Sequence, residues 1–92
     1  MAPKADHMKP IININGTSAE RLVEIRMDAR AKLNELIRAL RETAPHPRDY
    51  PQSEGYQRDI AIYRRRIDML DELYSELGEE MLDIHDQQAL RE

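Results

Sequence analysis

The stretch His46-Pro47-Arg48-Asp49-Tyr50-Pro51-Gln52-Ser53-Glu54-Gly55-Tyr56 gathers the residue types of this 92-residue chain best suited to holding a ligand. Tyrosine rings stack on a nucleobase, and an arginine fork clasps phosphate with two parallel hydrogen bonds. Aspartate and amide side chains hold ribose hydroxyls, and the amides at a helix start attract an anion. The prolines stiffen the stretch. Arg64-Arg65-Arg66 lies close behind, but three consecutive residues of a helix point about 100° apart, so only one can join the loop. Arg48, Asp49, Tyr50, Gln52, Tyr56 and Arg65 are the candidate ligand-binding set. A plainer account stands beside it: Tyr50 and Tyr56 cap the end of a bundle, Asp49 or Ser53 caps the second helix, and Arg64 pairs with Asp68 on a solvated face.

Other chemistries find little support. There is no cysteine. His7, His46 and His85 lack the short helical spacing that puts two ligands on one metal, so no metal site and no cofactor are expected. Neither a glycine-rich phosphate loop nor a serine or cysteine nucleophile motif is present, and Glu79, Glu80, Asp83 and Asp86 read as a solvated face; an enzyme is not expected. A net charge of −4 argues against duplex nucleic acid or an anionic membrane as partner. No apolar run approaches the roughly 18 residues of a bilayer span, and no signal-peptide core is visible, so a soluble cytoplasmic protein is expected.

The elements that must position these groups are helices. Ile60, Tyr63, Ile67, Leu70, Tyr74, Leu77, Met81 and Ile84 recur at alternating steps of three and four, the seam of a helix packed knobs-into-holes on another. Ile62, Met69, Leu73 and Leu82 fall outside that seam. One partner helix cannot cover both stripes, so the chain is expected to self-associate.

An earlier helix opens at Gly16-Thr17-Ser18-Ala19-Glu20, where Thr17 and Glu20 form a capping box. Its expected inner face is Leu22, Ile25, Ala29, Leu33, Leu36 and Leu40, with Val23, Met27 and Ile37 widening the stripe. Pro45 and Pro47 end it. The spacing predicts helices over about 18–43 and 54–87, folded back as an antiparallel hairpin. Residues 1–10 read as a flexible leader before a single domain, 11–92. Ile11-Ile12-Asn13-Ile14-Asn15 alternates as a short strand would, either pairing with its copy in another subunit or lying across the hairpin with Ile12 and Ile14 inward. Gly78 either admits the close approach of a neighbouring backbone or weakens the second helix. The fold class is therefore all-α: an antiparallel two-helix hairpin with a short extended N-terminal segment, assembling into an oligomeric helical bundle.

Asn15-Gly16-Thr17-Ser18 opening a helix, Ala44-Pro45-His46 closing it, and Arg48-Asp49-Tyr50-Pro51-Gln52 before the next helix together resemble a group of short proteins encoded by tailed phages and prophages. The resemblance covers roughly Ile12 to Gln87. Where that group commonly reads Arg-Asp-Tyr-Tyr-Pro-Gln, this chain has one tyrosine. The resemblance implies a phage protein in the bacterial host cytoplasm. For such a chain the leading expectation is a non-enzymatic sponge that binds a nucleotide-type immune signal, a cyclic nucleotide or cyclic ADP-ribose derivative, and so inhibits host defence. The alternative is a protein-protein module docking a host or virion protein. A sponge wants Arg48, Tyr50, Tyr56 and one of Arg64 to Arg66 together; an adaptor leaves them scattered and exposes a contiguous apolar patch.

Overall fold

Two amphipathic segments separated by a proline-rich turn bury their stripes most simply by folding back on each other. The computed structural model, which describes residues 7–91, has this arrangement: α1 (Ala19–Arg41) and α2 (Ser53–Arg91) pack antiparallel, joined through one 3-10 turn (Pro47–Asp49). The expected helical hairpin is the fold, and no strand forms among the described residues. It is a rod of 62 × 30 × 18 Å. Its Cα radius of gyration of 18.5 Å far exceeds the roughly 12 Å of a compact domain of this length, so little of it is interior.

The start of α1 differs from expectation by one residue. Ser18, not Thr17, is the N-cap, its hydroxyl accepting from the Arg21 amide at 3.1 Å. The reciprocal half of the capping box is absent because the residue three positions after Ser18 is Arg21, which has no carboxylate; Glu20 instead accepts from Gln88 Nε2 of α2 at 3.2 Å. At the other end the chain unwinds through three successive i−3 amide bonds, from Glu42, Thr43 and Ala44, before Pro45 stops it. No described residue adopts a positive φ, so the turn is made by prolines and side-chain caps, such as His46 Nδ1 accepting from the Arg48 amide.

Every residue of the expected α2 seam, from Ile60 to Ile84, is buried or half-buried. The α1 face is the expected one only in part: Leu33 is buried and Leu22 and Leu40 are half-buried, as expected. Ile25, Ala29 and Leu36 are exposed, and the residues one position on, Arg26, Arg30 and Ile37, face α2 instead. At those three positions the inward direction lies about 100° further round the helix. Two arginines can lie in the seam because α2 supplies their partners. Arg26 Nε donates to Glu80 Oε1 at 2.7 Å, and both side chains are at least nine-tenths buried. The Arg30 guanidinium stacks 3.8 Å from the Tyr74 ring centroid and donates to the Tyr74 carbonyl at 3.1 Å. Gly78 makes room for it: a Cβ there would stand 3.1 Å from an Arg30 terminal nitrogen. The neighbour that approaches Gly78 is thus the Arg30 side chain and not the expected backbone.

The strand-like segment turns rather than extends. Asn13 side-chain oxygen accepts from the Asn15 amide, Asn13 carbonyl accepts from the Gly16 amide, and Ile14 is 97% exposed rather than inward. Asparagine's short amide competes with regular structure in this way. Of the expected leader, residues 1–6 lie outside the described residues, while His7 to Ile12 run along α2. His7 Nε2 lies 2.6 Å from Asp83 Oδ2, the Met8 amide donates to Glu80 Oε2, and Gln87 both accepts from the Ile12 amide and donates to the Pro10 carbonyl.

Candidate functional site

At the loop end the turn places Tyr50 against the first coils of α2. Its hydroxyl donates to Asp59 Oδ2 at 2.7 Å, and Arg58 Nε donates to Asp59 Oδ1 at 3.0 Å. The Tyr56 ring meets Tyr50 edge-on, with centroids 5.8 Å apart and planes at 62°. Hydrogen bonding to Asp59 raises the Tyr50 pKa above the ordinary phenol value; the bonds from Tyr50 and then Arg58 lower that of Asp59. Both shifts run against acid-base work near neutrality, since the phenol becomes a weaker acid and the carboxylate a weaker base.

A cleft of about 200 Å³ opens here, lined by Thr43, Pro45, Tyr50, Asp59, Ile62, Tyr63 and Arg66. Small-ligand sites usually enclose about 300–1,000 Å³, so this cleft is too small to enclose a whole dinucleotide. Of the expected site residues, Tyr50 lines it and Tyr56 supports Tyr50. Arg48, Asp49, Gln52 and Arg65 are exposed and lie outside the cleft lining. Arg66 replaces Arg65 because it follows Tyr63, Ile62 and Asp59 by three, four and seven positions, on one side of the helix. That spacing was the available signal for Asp59, Tyr63 and Arg66. Among the described residues, Arg64, Arg65 and Arg66 have no ion pair within 4.0 Å, and the expected Arg64–Asp68 pair is not formed. No group of three or more His, Cys, Asp or Glu side chains among them is placed to hold a metal ion, and no helix is long and apolar enough to cross a membrane.

A second surface runs down the hairpin from this cleft. On α1, Ile25, Ala29 and Leu36 lie one position before the inward row; on α2, Ile62, Met69 and Leu73 do the same. A two-fold perpendicular to an antiparallel pair exchanges the helices, so both rows occupy the same broad face. Met69 is 60% exposed there, Leu36 47%, Leu73 44% and Ile25 41%.

Comparison with family models, curated proteins and solved structures finds no match to this chain.

Proposed function

We propose that this protein is a non-enzymatic interaction module: a helical hairpin that docks a helical protein on the face carrying Ile25, Leu36, Ile62, Met69 and Leu73. The supporting observation is the placement of its apolar residues. Four large apolar side chains stay substantially exposed on one face while Arg26 and Arg30 occupy the seam. Exposed apolar area costs about 25 cal/mol per Å², and contiguous patches of it mark interaction sites. With the tailed-phage resemblance, the partner class is a host or virion protein met in the bacterial cytoplasm.

The test is photo-crosslinking in expressing cells from a reactive residue at Met69, with Met27 on the opposite broad face as control. A discrete protein adduct from Met69, lost on Leu73→Glu, is the expected result. Adducts equal from both positions, or none, overturn the docking reading.

The second reading, the nucleotide-signal sponge, draws support from one place. Tyr50, Tyr63 and Arg66 line one cleft, offering aromatic faces and a cation with no ion pair among the described residues. The cleft's size means that a complete nucleotide site needs a second surface. On this reading, cyclic nucleotides or ADP-ribose derivatives raise the melting temperature, and Arg66→Ala removes the rise. No shift at millimolar ligand overturns it.

A further inference from the structure

We infer that the occupant of the apolar face is a second copy of this chain, laid antiparallel about a two-fold axis level with residue 71 of α2. The inference rests on the docking reading above for the face itself, and assigns that face to a second copy of this chain in place of a host or virion protein. In the middle of the row that α2 contributes to this face the order is Arg66, Met69, Leu73, Glu76, the first three exposed and Glu76 half-buried: a cation, two apolar residues, an anion. An isologous interface must be its own complement, and this row is. Reversed upon itself about position 71, Arg66 meets Glu76, Met69 meets Leu73, and each pairing occurs twice. Each charged residue then lies about 7.5 Å along the helix from the axis, by the rise of 1.5 Å per residue, so the pairs bracket a small apolar centre. A same-direction pairing would put arginine on arginine.

Neither Arg66 nor Glu76 has an ion pair within 4.0 Å in the hairpin among the described residues. The Arg26–Glu80 bond and the Arg30–Gly78 approach fix which level of α1 stands beside which level of α2. They bring Leu36, 47% exposed, close to the same axis as a third apolar residue.

The surface area agrees. The chain exposes 7487 Å², against about 5,500 Å² for a compact protein of its mass. That excess leaves room for the roughly 800 Å² per partner that a standard interface buries. The dimer also places Glu76 of one copy beside Arg66 of the other, so self-pairing and an anion in the cleft compete for that arginine.

The experiment is sedimentation equilibrium of the full chain and three charge variants, with helical content checked by circular dichroism. The wild type should sediment at about twice 10.8 kDa at micromolar concentration. Arg66→Glu and Glu76→Arg should each raise the dissociation constant about tenfold or more while remaining helical, because like charges then face across the interface. The double variant Arg66→Glu with Glu76→Arg should recover the dimer. A monomeric wild type at roughly 100 µM, where even a weak standard-sized contact associates, overturns the inference. So do single variants that stay dimeric, or a double variant that does not recover. A monomer that still forms Met69 adducts with other proteins overturns self-pairing alone; a monomer with no adducts overturns the docking reading as well.

Discussion

At the open end of the hairpin, Arg26 is 9% exposed and bonded to Glu80 at 2.7 Å, and the second oxygen of Glu80 accepts from the Met8 amide. At the loop end Arg66 stands at the rim of a cleft with no carboxylate within 4.0 Å among the described residues. The same residue type is thus a structural member in one region and an open valence in the other. What separates them is whether the opposite helix brings an acid to the same level. A charge enters a seam only when its hydrogen bonds are met there, and one that is not met stays where water or another molecule can reach it.

The comparison breaks most visibly at Glu80. Glu80→Ala leaves Arg26 buried without its counter-charge and should cost about 3–5 kcal/mol, read as a fall in melting temperature in thermal unfolding. A fall as small as that of a surface acid such as Glu79→Ala would mean that the pair is solvated. Arg30 is next: Arg30→Ala should cost about 1–3 kcal/mol through loss of a charged hydrogen bond and the ring contact. Gly78→Ala sharpens the point as a double-mutant cycle. In the Arg30→Ala background it should stabilise by about 1 kcal/mol, the gain of alanine over glycine in a helix, and in the wild type by clearly less. Equal effects in both backgrounds would show that the guanidinium does not press on Gly78. Ser18→Ala should lower stability by about 1 kcal/mol in urea titration while Thr17→Ala leaves it nearly unchanged.

The smallest effect belongs to the loop end and is read through pH. Asp59 has its pKa lowered in the fold, so its bond stabilises above the ordinary carboxylate range and is lost as pH falls through the folded value. Tyr50 has its pKa raised, so its contribution is full below the ordinary phenol value near 10 and is lost as pH rises through the folded one. Tyr50→Phe should flatten both limbs of the stability profile; unchanged limbs would mean that the bond does not persist in solution.

The α2 seam was legible because apolar residues alone define it from Ile60 to Ile84. The face of α1 was not, because two of its inward positions are arginines whose partners lie 54 and 44 residues away in sequence. Ala19, Val23, Arg26, Arg30, Leu33, Ile37 and Leu40 do keep the alternating step of three and four. An apolar count passes over the arginines and fills their places with the neighbouring Ile25, Ala29 and Leu36, which are left exposed, while it keeps Leu33 and Leu40. The path of His7 to Ile12 was hidden for a related reason, since hydrogen bonds to Glu80, Asp83 and Gln87 leave no periodicity in the segment that makes them. At the loop, residue types identified Tyr50 and Tyr56, while the choice among Arg64, Arg65 and Arg66 depended on the level at which the turn meets α2.

That N-terminal run has a kinetic consequence. In the unfolded chain the Met8 amide and Glu80 are 72 residues apart, and closing so long a loop is entropically expensive. Once α1 and α2 have zipped from their short connection, Glu20 already lies beside Gln88, and only a handful of residues separate the strap from its acceptors. The strap therefore closes last and opens first. Its amides should exchange with solvent through a local opening that leaves the two helices protected, making Met8 a latch whose release precedes global unfolding.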